Sequence, residues 1–425
     1  ARVRALLEAC ASHLQHENDF IHPALEERMP GAAIAAADDH VDHVAQLESL
    51  ASKWRPRLLR HAISLRDRLD ELAVTDRLAG SKYVFVLTGW VRRRDLDRTR
   101  EELARASKEV EVVELELTPE DAARAPISRE NLRPVRPFEF LMSVLTPPRY
   151  GTIDPTPIIA VGFPLFFGLI LGDVGYGLVL FALAAWVVWR RRRPEWAVQI
   201  GRIMLVASAS AVAFGFAFGE FFGTLGERFG MHPLVVDRTT AIVPVLLFSI
   251  ALGAAQVLLG LVLGIVNAWL ERERKEMVEK AAMIVALAAV FGLIGIVARM
   301  LPAELTTPSI ALLAIALAVL IYTIGIIGPL EVFGVVGNIL SYSRLMAIGL
   351  SSVILAKVAN DLGGMVGNAV LGVIVAALLH ALNIALGALS PSIQSARLHY
   401  VEFFGKFYKT GGKEFRPFRV SDSPG

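Results

Sequence analysis

Only one of the 425 residues is cysteine, Cys10, which excludes a disulfide framework and a multi-cysteine metal site. Charge of one sign is equally scarce. Lys and Arg number 43 against 41 Asp and Glu, a net charge of +2, which argues against a nucleic-acid surface. No glycine-rich phosphate loop occurs, so ATP chemistry is not expected in this chain. An initiator Met and a signal-peptide pattern are also missing: the chain opens ARVRALLEAC, already helical in character, and reads as a fragment without its natural N-terminus. What is present is apolar. Hydrophobic residues make up 54% of the chain, mean hydropathy is +0.51, and several uninterrupted apolar stretches could cross a hydrocarbon core of about 30 Å. The expected class is mainly α, a polytopic membrane protein.

Up to about Tyr150 the composition is that of a soluble protein. Val44, Leu47, Ala51, Trp54, Leu58 and Leu65 recur at helical intervals, the stripe of a long helix on a neighbour, which Pro56 should bend or divide. Residues 2–27 are the expected antiparallel mate, so 1–80 reads as a helical hairpin or coiled coil. Between 81 and 135, YVFVLTGWV (83–91), DLDRTREELARASKE (95–109) and VEVVELEL (110–117) read as a β-α-β lobe without catalytic chemistry. Residues 136–156 link it to the membrane part, 157–405, and 406–425 form a polar tail.

The run from Pro157 to Trp189 is long enough for one overlong helix or two short ones. Further spans are expected at about 201–220, 241–268, 281–299, 308–328, 332–359 and 365–400. Positive charge chooses between the readings. If Gly172, Gly175 and Gly177 break the run into a hairpin, there are eight spans. One side then carries Arg190 to Arg193, Arg202, Arg272, Arg274, Lys275, Lys280 and the basic tail, and the other only Arg228, Arg238 and Arg299. Both termini and the soluble half are then cytoplasmic.

In SYSRLMAIGLSSVILAKVAN (341–360) an arginine, Arg344, stands inside an apolar helical run, about 20 Å of helix from Glu331. A charge at that depth costs about 2.5 to more than 10 kcal/mol and must face a polar cavity or a partner. On the last span His380, Asn383, Gly387, Ser390, Gln394 and Arg397 follow at three- and four-residue steps and share a face. Asn338, Ser341, Arg344 and Ser351 share one on the span before. Close helix packing is the plainer use of such small polar residues, and Arg397, near a span end, could simply snorkel.

These residues resemble the membrane subunit called a, or I, of V-type and A-type rotary ATPases and ATP synthases. The matching stretches are RPFEFLMSVLTPPRYGTIDPTP (136–157), FPLFFGLILGDVGYG (163–177), LSYSRLMAIGLSS (340–352) and ARLHYVEFFGKFYKTGGKEFRPF (396–418), in the family's order, with a GWV turn at Gly89 to Val91. The resemblance implies a stator against a ring of proteolipid subunits, each with an intramembrane carboxylate. It further implies peripheral-stalk contacts through residues 1–135, central-stalk and catalytic subunits elsewhere in the same complex, no cofactor, and a prokaryotic cell membrane. Arg344 matches the ring-facing arginine and Arg397 its partner on the final helix. Gln394 stands where some relatives have histidine. Gly387 and Ser352 replace a glutamate and a histidine of eukaryotic members, so the outer proton carriers must be sought elsewhere.

The mechanism so implied has two aqueous half-channels separated by Arg344, which favours ionisation of one ring carboxylate at a time and stays protonated where Lys would not. Candidates for the outer path are Asp173, Glu220 and Gln394, with Glu227 and Arg299 weaker; for the inner path, Glu331, His399 and Glu402. Each has a plainer reading. Asp173 could form a turn between short helices, Glu220 sit at an interface, Glu331 favour a helix N-terminus, and His399 and Glu402 be solvated at the cytoplasmic rim. Two other classes compete: a secondary transporter binding an anionic solute at Arg344, which would predict an internal repeat, and a structural anchor in which Arg344 pairs within the chain.

Overall fold

The computed structural model describes residues 32–75, 79–80, 84–107, 109–190 and 194–415. The expected helix mate at 2–27, Arg191 to Arg193 and the tail beyond Phe415 lie outside them. Two compact units are present, Ala1–Leu96 with Arg416–Gly425, and Asp97–Phe415.

In the first unit helix α1 (Ala32–Thr75) runs 44 residues, about 66 Å. Of the two outcomes expected at Pro56, division does not occur: the helix runs through it. A proline removes a single N–H, and on an exposed helix the freed carbonyl is met by solvent. Trp54, Leu58 and Leu65 of its stripe are exposed. Strand β1 (Ala79–Gly80) pairs antiparallel with β2 (Phe85–Val86), so the expected 83–91 strand is reduced to two residues. Helix α2 (Leu96–Ala106), which opens the second unit, forms as expected. Residues 110–117 make no ladder, which corrects the β-α-β expectation: Val113 and Leu115 stand 68% and 76% exposed. Alternation supplies a strand's faces, but its hydrogen bonds need a neighbouring strand, and none lies beside 110–117 among the described residues.

The second unit is mainly helical. It contains α3 (Thr156–Leu171), α4 (Val174–Trp189), α5 (Glu195–Phe218), α6 (Ile242–Leu270), α7 (Arg274–Val297), α8 (Thr306–Ile324), α9 (Ile327–Leu340), α10 (Ser343–Met365) and α11 (Ala369–Arg397). Among the described residues six helical stretches are long and apolar enough to cross a membrane: α5, α6, α7, Ala303–Ile324, Ile327–Met365 and Ala369–Lys406. Helices α3 and α4 have 16 residues each, about 24 Å, less than a hydrocarbon core of about 30 Å.

The chain reverses between α3 and α4. Gly172 takes φ 42°, a left-handed conformation that suits glycine, and Asp173 caps α4. Along α5 the contacts of α3 rise together, Gly168 against Ser210 and Gly172 against Phe218. Those of α4 run the other way, Gly177 against Val212 and Gly201 against Val188. The two short helices are therefore antiparallel, both packed on α5.

The expected span at 332–359 lies within the stretch Ile327–Met365, which tightens at Ser341 and Tyr342 between α9 and α10. Arg344 N and Leu345 N bond three residues back, to Ser341 O and Tyr342 O, so Arg344 occupies the first turn of α10. Tyr342 is fully buried; its hydroxyl donates to Gln256 Oε1 at 2.7 Å, and its ring lies against Gly253 of α6.

Polar links gather the 126–155 linker, the α6–α7 turn and the C-terminal segment at one end of the helices. Asn267 accepts from Ile153 N at 3.0 Å and donates to Phe407 O at 2.9 Å. Lys409 binds Glu271 and Glu276, and β3 (Pro126–Ile127) pairs parallel with β4 (Lys413–Glu414). The flanking carboxylates hold the Lys409 ammonium above the usual lysine range, outweighing its burial.

Gly253→Val should drive a branched side chain into the Tyr342 ring and lower stability by about 1–3 kcal/mol. Thermal unfolding of the detergent-purified protein checks this, with Gly253→Ala expected to be milder.

Candidate functional site

A guanidinium drawn largely out of water, as that of Arg344 is, needs an acceptor close by. It has two. Nη2 pairs with Glu402 Oε1 and Nη1 donates to Gln394 Oε1, each at 3.3 Å. The Glu402 side chain is 2% exposed and that of Arg344 26%. The arginine thus pairs within the chain while one side of it stays open. Leu386, Leu389 and Ile393 of α11 and Ile354 and Val358 of α10 are exposed apolar residues on the helices that flank it.

Glu402 and His399 are buried, which overturns their reading as solvated rim residues. They lie on a π-helical segment, Leu398–Phe403, that continues α11. His399 Nδ1 lies 2.7 Å from Ser395 O. A carbonyl only accepts, so Nδ1 carries the proton and Nε2 presents a lone pair. The Nε2 edge abuts Gly162 of α3, where any larger residue would overlap it. Protein contacts leave His399 Nε2, Glu402 Oε2 and Ser395 Oγ buried without a hydrogen-bond partner. Buried unmet polar atoms are rare in native interiors and concentrate where chemistry is done.

Of the other expected site residues, Glu331 is half-buried on α9, within electrostatic reach of Lys406. Arg397 is exposed, one turn beyond the outward Ile393. Glu227 and Arg299 are exposed and are not brought to Arg344. Asp173 is buried and fully engaged: Oδ1 accepts from Tyr176 N and Phe222 N, Oδ2 from Gly223 N at 2.7 Å. This is the turn-forming geometry. Glu220 is buried in an ion pair with Arg238, whose Nε donates at 2.8 Å.

Arg238 was missed by sequence reasoning, which counted it among loop charges. It is 2% exposed and its Nη atoms donate to the carbonyls of Leu169, Ile170, Leu171 and Gly172. It therefore caps the C-terminus of α3, stacks 4.4 Å from the Phe218 ring and lies against Gly349 of α10. No periodicity marks a lone loop arginine, so only the fold could reveal it.

A second polar group joins α4, α10 and α11. Asn360 Nδ2 donates to Phe222 O, leaving its Oδ1 to face His380 Nε2 at 2.9 Å. That nitrogen therefore carries the proton, and His380 Nδ1 accepts from the Tyr176 hydroxyl at 2.7 Å. Asn383 Nδ2 donates to Tyr176 Oη and to Ser352 O, both at 2.9 Å. The α11 stripe signalled His380 and Asn383; their partner Tyr176 carried no such sign.

The V-type ATPase 116 kDa subunit family model matches residues 65–230. A-type ATP synthase subunit I of Pyrococcus abyssi is 31% identical, over 87% of this chain and 59% of its own length. The subunit I of Methanocaldococcus jannaschii is 29% identical, over 89% of this chain and 61% of its own. The chain is therefore similar to the V-type ATPase 116 kDa subunit family and, over most of its length, to archaeal A-type ATP synthase subunit I. A bacterial relative, V-type ATP synthase subunit I 2 of Treponema pallidum, is 30% identical over 42% of this chain and 41% of its own. The chain thus spans about three fifths of the archaeal family members it matches.

Arg238→Met should leave Glu220 buried and unpaired and cost about 3–5 kcal/mol, more than the double replacement Arg238→Met with Glu220→Leu. Unfolding midpoints of the single and double variants in detergent check this; a double variant at least as unstable as the single one would contradict it.

Proposed function

We propose that this chain is the stator-side membrane subunit of a rotary V/A-type ATPase or ATP synthase, guiding protons through two half-channels against a proteolipid ring. The observation that carries this is Arg344, a permanent cation held by buried groups on one side and open on the other among exposed apolar residues. A ring carboxylate arriving at that opening meets a fixed guanidinium that favours its ionised form. Elsewhere on the ring, lipid favours the neutral acid. Ions then cross only by riding the ring.

On this reading the chain crosses eight times, α9 and α10 together as one span and α3 and α4 as a short hairpin, and both chain ends and the basic loops are cytoplasmic. Glu331, His399 and Glu402 form the inner path. On the outer side, Gln394 stands beside Arg344 as the last group before the ring. Asp173 and Glu220, with their oxygens engaged, shape the outer wall, while Glu227 and Arg299 lie toward its mouth and Arg397 accompanies Arg344 on the ring-facing side. The soluble half contacts peripheral-stalk subunits and resists torque. ATP chemistry belongs to the catalytic subunits, reached through the central stalk, so this chain is not itself catalytic.

The structural-anchor reading has one observation in its favour, the ion pair between Arg344 and Glu402 inside the chain. Replacement separates the two. Arg344→Gln in the assembled complex should abolish ATP-driven proton pumping while the ring stays bound. Pumping at the unmodified rate per assembled complex would leave the anchor reading in place.

A further inference from the structure

The Arg344–Glu402 pair, which the anchor reading treats as static, has features that a static pair does not need. Glu402 offers only Oε1 to Arg344, and its Oε2 is buried without a partner. Arg344 meanwhile keeps 26% of its side chain exposed.

We infer that Glu402 is the immediate acceptor of the proton released by each ring carboxylic acid, through an exchange of ion pairs at Arg344. The inference rests on the rotor-facing reading of Arg344. When a protonated ring acid reaches the guanidinium, its O–H proton goes to Glu402, and the ring carboxylate so formed takes the place of Glu402 at Nη2. Glu402 stays neutral while the ring carboxylate holds Arg344. When that carboxylate is reprotonated from the outer side and moves on, Glu402 gives up its proton toward the inner face and pairs with Arg344 again. Reversed ion flow runs the same steps backwards.

The physical advantage lies in constant local charge. Before and after the exchange there is one guanidinium and one carboxylate. Arg344 is never left bare at low dielectric, and two carboxylates never compete for it unprotonated, either of which would be expensive. The outer network does not offer this chemistry. Its histidine is bonded at both nitrogens and ends on an asparagine amide, which cannot carry a proton onward.

The test uses the complete complex reconstituted in liposomes, with ATP-driven proton uptake measured per assembled complex in H2O and in D2O. Glu402→Gln keeps the size and a hydrogen bond to Arg344 but cannot take up a proton, and uptake should fall on the order of a hundredfold. Glu402→Asp keeps the carboxylate on a shorter arm. It should retain measurable uptake with a larger solvent isotope effect than the unmodified complex, because the lengthened proton hop becomes limiting. Unmodified uptake in Glu402→Gln, or an unchanged isotope effect in Glu402→Asp, would assign Glu402 to charge balance alone and overturn the exchange. Should Glu402→Gln fail to assemble, the isotope effect of Glu402→Asp decides. Arg344→Gln run alongside keeps the two readings apart: normal pumping there overturns the rotor-facing reading, whereas its loss together with normal pumping in Glu402→Gln overturns only the exchange.

Discussion

A guanidinium removed from water must be matched, and the membrane half of this chain is arranged around two that are matched differently. Arg238 is saturated: a carboxylate, four carbonyls and an aromatic ring surround it, and almost none of it is exposed. Such a charge holds structure in place, here the end of α3 and the reversal into α4. Arg344 has two contacts at 3.3 Å and an open side. Incomplete matching suits a charge that has to accept another partner in turn. The contrast between the two arginines, more than the mere presence of a buried charge, separates scaffold from site.

The same asymmetry divides the polar groups along α11. Toward its N-terminal half, His380 and Asn383 belong to a network in which each hydrogen bond has a defined donor and acceptor, tying α4, α10 and α11 together. Satisfied networks of this kind make a core rigid. Toward its C-terminal end, Ser395, His399 and Glu402 present buried atoms that protein contacts leave unmet. Between them Gly387 opposes Leu171, an apolar contact at the level where the resemblance to eukaryotic members would place a glutamate. Ser352, where those members carry histidine, is tied to Asn383 instead.

Much of this was legible before any fold was seen, because hydropathy, helix period and the cost of buried charge act locally along the chain. The apolar helices, the reversal at Gly172 and Asp173, the polar faces of α10 and α11 and the singular place of Arg344 all follow from residue order and the demands of hydrocarbon on backbone and charge. Residues 110–117 show where such reasoning ends, since alternation cannot provide the neighbouring strand that a ladder requires. Pro56 shows the same from another side: its cost depends on whether solvent can reach the freed carbonyl. Tertiary structure alone decided that Arg344 is paired inside the chain, that Glu402 and His399 are buried rather than solvated, and that a loop arginine, Arg238, seals the end of α3. Each of these depends on distances between side chains far apart in sequence, across which the chain's order exerts no direct force.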